Sequence, residues 1–328
     1  MPDGQWTMLT GRPYGPPVDG VSGSTVVMVG TLRAELVGPL QEEYDARELS
    51  QLTPEEAATV RVAVTSGVWG VRAEHLDRLP ALEAIVNFGV GHDATDVAEA
   101  GRRGIVVSNT PDVLTDCVAD AAVGLLIDTL RGLSAADRFV RRGDWAAGGT
   151  PPLARRVSGT RVGIVGLGRI GLAIATRLEG FGTTISYHNR SPRADVSYSY
   201  APDVVTLAEG CDVLVLAAAG GDGSRHLVDA KVLDAIGPDG FLVNIARGSV
   251  VDEDALVAAL DSGAIAGAGL DVFASEPTVP AALLERDDVV LTPHIGSATV
   301  ETRQAMTELT LANVAAYLDS GKLLTPVG

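Results

Sequence analysis

Three side chains suited to acid-base and anion chemistry stand at or soon after apolar runs. Arg247 follows Phe241-Leu242-Val243-Asn244-Ile245-Ala246, Glu276 lies shortly after Ala266–Leu270, and His294 ends Val289-Val290-Leu291-Thr292-Pro293. Such runs read as buried strands, and parallel α/β sheets bind ligands at the carboxyl ends of their strands. An imidazole placed there exchanges a proton near neutral pH. A guanidinium straight after a buried strand, followed by Gly248, is better explained by anion binding than by solvation. A carboxylate beside His294 would hold the ring in one orientation and raise its pKa, favouring the protonated form. The other histidines have plainer readings: His75 falls in a polar helix, His188 follows a strand and His226 sits in a loop. His92, after Gly91, is open to either reading.

A second constellation is Gly166-Leu167-Gly168-Arg169-Ile170-Gly171, which follows Arg161–Val165 and leads into Leu172-Ala173-Ile174-Ala175. Glycine spacing alone is weak in a chain with 38 glycines. A strand before it and a helix after it make the need specific: a tight turn at Gly166, close backbone approach to a pyrophosphate at Gly168, and close helix-sheet packing at Gly171. Free N–H groups at the helix start then face the phosphates. NAD-type sites usually carry Asp or Glu at the end of the second strand. Here that strand runs out through Ser186-Tyr187-His188-Asn189-Arg190-Ser191, with no carboxylate before Asp195, and Arg190 stands 19 residues after Gly171. A guanidinium in place of an anion suits a ribose 2′-phosphate, with Ser191 and Arg193 as further contacts. NADP(H) is therefore the expected cofactor, with NAD(H) also admitted.

These residues must be positioned by alternating strands and helices. Thr25–Gly30, Arg61–Thr65, Ala84–Asn87 and Ile105–Ser108 read as strands, separated by helical spacing over Ala34–Glu43, Ala73–Leu79 and Ala94–Ala100. A long helix, Val113 to about Arg142 with Asp112 as N-cap, follows Pro111. A second series has strands at Arg161–Val165, Thr183–Tyr187, Asp212–Ala217, Phe241–Ile245, Ala266–Leu270 and Val289–Leu291, and a last helix covers about Ala298–Asp319. Strands joined by helical crossovers form parallel sheets. The fold class is α/β: two lobes of Rossmann/flavodoxin-like parallel sheets with a cleft between them. Residues 1–24, rich in Gly and Pro, read as a loosely ordered extension. Residues 25–111 and 296–328 form a discontinuous substrate domain, and 112–295 a dinucleotide-binding domain.

Composition narrows the partners. With 25 Lys and Arg against 42 Asp and Glu, the net charge of −17 disfavours nucleic acid and anionic membrane surfaces. Cys117 and Cys211 are too few for a disulfide framework or a structural zinc site, so no metal is expected. No apolar run is long enough to span a bilayer, and the start of the chain does not look like a secretory signal, so a soluble cytoplasmic protein is expected. Neither a Gly-x-Ser-x-Gly elbow nor a His-Glu-x-x-His motif occurs, which weighs against hydrolases.

Together the Gly166–Gly171 loop, Asn244-Ile245-Ala246-Arg247-Gly248, Gly269-Leu270-Asp271-Val272-Phe273, Glu276-Pro277, Pro293-His294-Ile295-Gly296, Asn87-Phe88-Gly89-Val90-Gly91 and Asn109-Thr110-Pro111 resemble the D-2-hydroxyacid dehydrogenase family from about Thr25 to Asp319. Arg190 and Thr110–Asp116 bring the chain nearest the NADPH-dependent glyoxylate/hydroxypyruvate and hydroxyphenylpyruvate reductases. The resemblance implies NAD(P)H-dependent reduction of a small 2-keto acid. It gives His294 the acid-base role, Glu276 the tuning of that histidine, and Arg247 the substrate carboxylate and keto oxygen. Backbone N–H groups of Val90 and Gly91 hold the carboxylate, and Asp271 matches the nicotinamide-carboxamide contact. Further cofactor contacts fall on Thr115, Gly166, Gly168, Arg169, Ile170, Gly171, Asn189, Arg190, Ser191, Arg193, Ala218, Ala219, Ile245, Ala246, His294 and Gly296. A homodimer joined through the region 113–142 is the family expectation.

Two departures stand out. Many relatives have a Pro-containing loop where this chain reads Ala217-Ala218-Ala219-Gly220-Gly221-Asp222-Gly223. Gly148 also stands nearest to where some hydroxypyruvate reductases place a second tryptophan after the one matching Trp145. The rival readings are a dinucleotide-sensing, corepressor-like interaction protein on the same fold and a formate-dehydrogenase-like hydride transfer. Glu276 argues against the latter, since that branch uses glutamine.

Overall fold

Runs of Val, Ile, Leu and Ala without polar alternation suit strands covered on both faces, and among the described residues twelve strands form. They are β1 (Val26–Met28), β2 (Arg47–Glu48), β3 (Val62–Ser66), β4 (Ala84–Phe88), β5 (Val106–Ser108), β6 (Arg161–Val165), β7 (Thr184–His188), β8 (Ser199–Tyr200), β9 (Val213–Leu216), β10 (Phe241–Asn244), β11 (Gly267–Leu270) and β12 (Val289–Leu291). The structure is a computed structural model that describes residues 25–327, so the extension expected at 1–24 lies outside the described residues. The chain divides into two compact units: one runs to Pro111 and resumes at Arg303, and the other spans Asp112–Thr302.

In the first unit five parallel strands lie in the order β2-β1-β3-β4-β5. Val27, Ala63, Ile85 and Val107 share one core with Leu49, Leu76 and Leu79. The order is that of flavodoxin-like sheets and reverses direction beside β1. Strand β2 was not expected; its two residues, Arg and Glu, carry no apolar signal.

In the second unit seven parallel strands lie in the order β12-β11-β10-β9-β6-β7-β8. This is the Rossmann order, with its switch point between β6 and β9. Strand β8 is the seventh and unforeseen one, two exposed residues at the sheet edge. The helix expected over 113–142 is two helices, Thr115–Arg131 and Leu133–Arg141. Gly132 breaks it, turning left-handed at φ 59° while its N–H still reaches the Asp128 carbonyl at 2.7 Å. Asp112 is not the N-cap. Leu114 occupies that place, and Asp112, at φ 69°, instead accepts the Thr115 N–H on its carbonyl at 3.1 Å and pairs with Arg169 at 2.9 Å. Among the described residues no helix is long and apolar enough to cross a membrane.

Candidate active site

His294 sits in the turn after β12 with a left-handed backbone, φ 53°. That conformation costs a residue with a Cβ on the order of 1 kcal/mol, so something must hold it. Asp271, directly after β11, does so. Its carbonyl accepts the His294 N–H at 2.8 Å. Its carboxylate, on a residue 4% exposed, takes the Thr292 hydroxyl at 2.6 Å and the N–H groups of Ile295 and Gly296, both at 2.8 Å. A Cβ at Gly296 would stand 3.1 Å from that carboxylate.

The His294 ring meets Glu276, with Nδ1 2.7 Å from Oε2, while Glu276 Oε1 accepts the Phe273 N–H at 3.0 Å. Burial pushes the Glu276 pKa up. The hydrogen bond and charge of His294, the Phe273 N–H and the Arg247 charge outweigh burial and hold it below its ordinary 4.5. An ionised carboxylate only accepts hydrogen bonds, so Nδ1 carries a proton and Nε2 is left for a reacting atom.

Arg247 follows β10 through a loop closed by Asn244. The Asn244 side chain, 1% exposed, accepts the Ala246 N–H and donates to the Arg247 carbonyl, both at 3.0 Å. The arginine Nη1 donates to its neighbour's carbonyl, Ala246 O, at 2.7 Å. A Cβ at Gly248 would lie 1.9 Å from the Phe273 carbonyl carbon, so only glycine lets this loop press against the one leading to Glu276. Arginine, glutamate and histidine from three strand ends are thus brought to one end of the second sheet. Asn244 and Thr292 were missed by sequence reasoning. A lone Asn or Thr after a strand has no spacing signature of its own.

The glycine loop fits a dinucleotide. A Cβ at Gly171 would lie 2.1 Å from the Gly166 carbonyl oxygen, and one at Gly166, φ 93°, would lie 2.6 Å from the Ala218 nitrogen. Nothing lies within 4 Å of a Cβ at Gly168, and the helix it begins, Arg169–Glu179, has no side-chain cap. Crowding behind and open, uncapped N–H groups in front make a phosphate cradle. Ile170 and Gly171 lie in the first turn of that helix, and Thr115 opens the helix Thr115–Arg131. Ile245 and Ala246 are buried after β10. Ala219 accepts the Ser224 hydroxyl at 2.8 Å, which closes the glycine-rich loop beyond Ala218.

Arg190, Ser191 and Arg193, expected near a ribose phosphate, and Asn189, expected as a cofactor contact, differ in what they touch. Asn189 Oδ1 accepts the Leu167 N–H at 2.7 Å, and Arg193 Nη1 donates to the Leu167 carbonyl at 2.8 Å while pairing through Nε with Asp195 at 3.0 Å. Both brace the glycine loop. Arg190 and Ser191 are exposed, and Arg190 has no hydrogen bond or ion pair with any described residue.

In the first unit Gly89 and Thr110 clasp each other, the Gly89 N–H meeting the threonine hydroxyl and the Thr110 N–H meeting the Gly89 carbonyl, both at 3.0 Å. Asn109 Nδ2 donates to the Val90 carbonyl at 2.8 Å, and a Cβ at Gly67 would lie 2.4 Å from the Gly91 oxygen. The backbone of Val90 and Gly91 is thereby fixed at the end of β4.

The family described as D-isomer specific 2-hydroxyacid dehydrogenase, NAD binding domain, matches residues 123–296. The chain belongs to the D-2-hydroxyacid dehydrogenase family. It is 47% identical over 272 residues to the hydroxyphenylpyruvate reductase of Plectranthus scutellarioides, covering 83% of this chain and 87% of that one. Glyoxylate/hydroxypyruvate reductase A of Arabidopsis thaliana is 44% identical over 308 residues, with 92% and 98% covered. The crystal structure of the NADPH-dependent glyoxylate/hydroxypyruvate reductase of Sinorhizobium meliloti, in complex with NADP and malonate, matches with a TM-score of 0.87 and 45% identity over 92% of this chain and 96% of that one. As a D-2-hydroxyacid dehydrogenase the protein is an oxidoreductase with a nicotinamide-dinucleotide domain.

Proposed function

We propose that this dehydrogenase reduces a small 2-keto acid of the glyoxylate or hydroxypyruvate type to the D-2-hydroxy acid, with NADPH preferred over NADH. The observation that carries the reading is the Glu276–His294 pair, 2.7 Å between Oε2 and Nδ1, at the strand ends that also carry Arg247. When bound, the reduced nicotinamide supplies the hydride. Arg247 binds the substrate carboxylate and keto oxygen and stabilises negative charge growing on that oxygen. Backbone N–H groups of Val90 and Gly91 hold the carboxylate. His294 delivers a proton from Nε2 to the keto oxygen, and Glu276 keeps the ring oriented through Nδ1. Arg190, exposed and making no hydrogen bond or ion pair with any described residue, receives the 2′-phosphate.

In this reading residues 25–111 and 296–328 serve the substrate, and 112–295 serve the dinucleotide. The helix Leu133–Arg141 has no buried residue and exposes Leu133 and Val140, with Trp145 exposed beyond it, which supports a homodimer through this region. Two free cysteines suit a reducing, cytoplasmic compartment. Initial rates with glyoxylate, hydroxypyruvate, phenylpyruvate and pyruvate, each with NADPH and NADH, test the assignment. Highest kcat/KM with glyoxylate or hydroxypyruvate and NADPH is expected, and no turnover of any of the four would overturn it.

A further inference from the structure

The Gly89–Gly91 loop is held by a part of the chain far away in sequence. Asn109, which donates to the Val90 carbonyl at 2.8 Å, is itself pinned by the segment that follows the helix Val300–Ser320. Its carbonyl accepts the Thr325 hydroxyl at 2.6 Å across 216 positions. Beside it Ser108 bridges Pro326 in antiparallel fashion, and the Val327 N–H meets the Val107 carbonyl at 2.7 Å. Asn313 shapes that segment. This fully buried amide accepts the N–H groups of Leu324 and Thr325 at 2.9 and 3.1 Å, and its Nδ2 donates to Thr325 Oγ1 at 3.0 Å and to the Leu309 carbonyl at 2.8 Å. All four bonds open to the amide are made, so the segment has one place to sit. The Thr325 hydroxyl joins the two halves, accepting from Asn313 and donating to Asn109.

We propose that Thr325 is a positioning residue for substrate binding, acting through Asn109 on the Val90–Gly91 backbone. The proposal rests on the reading that this backbone holds the substrate carboxylate. The relay ends on that loop and touches neither the glycine cradle nor His294, so its loss should weaken substrate binding and spare the rest. The test compares full-length Thr325→Val and Thr325→Ser with the parent protein. The readouts are KM and kcat for the best 2-keto acid of the panel, Kd for NADPH, and amide hydrogen exchange at Gly89–Gly91 without substrate. Thr325→Ala replaces the valine variant if the second methyl does not fit. Losing one hydrogen bond of this kind should raise KM about five- to tenfold, with kcat within about twofold, unchanged NADPH affinity and faster exchange in the loop. Serine should restore all of these. Unchanged exchange at Gly89–Gly91 overturns the relay, as do parallel losses of kcat and NADPH affinity, which mark general loosening. Faster exchange with unchanged KM keeps the relay but overturns the carboxylate role of Val90 and Gly91, and with it the proposal.

Discussion

Glu276 holds His294 by one oxygen and its own loop by the other: Oε2 meets the ring Nδ1 at 2.7 Å while Oε1 takes the Phe273 N–H at 3.0 Å. The carboxylate is therefore fixed before it orients the ring. Replacing His294 with Ala removes the proton donor without touching the cradle, so turnover should fall at least ~100-fold, far more than any loss of NADPH affinity. Stopped-flow turnover and fluorescence titration of the cofactor check the two halves.

The same pair makes a prediction about acid stability. The Glu276 pKa is depressed in the folded protein, so its contribution is present above the ordinary 4.5 and is lost as pH falls through the lowered folded value. Glu276→Gln should lower Tm at pH about 6, and the gap to the parent should narrow as pH falls below the ordinary 4.5 and through the lowered folded value. A gap that stays constant across that range would show that the charge is not what stabilises.

Arg190 and Arg193 should separate cleanly. Arg190→Asp, which puts an anion where we propose the 2′-phosphate binds, should move preference from NADPH towards NADH. Arg193→Ala removes the grip on the Leu167 carbonyl, so it should weaken both cofactors by the same factor, about tenfold. Kd values for the two cofactors on each variant decide, and an Arg193 effect confined to NADPH would return that residue to direct phosphate contact.

Arg247→Ala should nearly abolish reduction of 2-keto acids, with little loss of NADPH binding. Oxalate inhibition gives the independent check, since the variant should also lose its affinity for this dicarboxylate.

Gly171→Ala tests the cradle. Its Cβ would press to 2.1 Å on the Gly166 carbonyl oxygen, too close for rotamer adjustment to relieve because both sides are backbone. Overpacking of this kind costs about 1–3 kcal/mol, and the loop should shift enough to weaken NADPH and NADH together. Calorimetry of both cofactors with the variant measures it.

Much of this was legible in the sequence because buried parallel strands announce themselves as apolar runs, and Arg247, Glu276 and His294 are conspicuous by following them. What escaped notice depends on contacts that spacing does not encode. Ser199–Tyr200 is a strand only because β7 lies beside it. The break at Gly132 hid within a periodic helical pattern, since an isolated glycine is also tolerated inside a helix. Arg190 and Arg193 look alike in the sequence, yet Leu167 claims only the second. Asn244, Thr292 and Asn109 owe their importance to which carbonyl or carboxylate the fold sets before them.

Arg190 makes no hydrogen bond or ion pair with any other described residue, whereas its neighbours Asn189 and Arg193 hold the glycine loop through Leu167. Position 190 is thus free to vary without a folding penalty. With the 2′-phosphate role proposed for Arg190, cofactor preference would change by a single substitution there, while the grip on the glycine loop rests on residues that cannot change so cheaply.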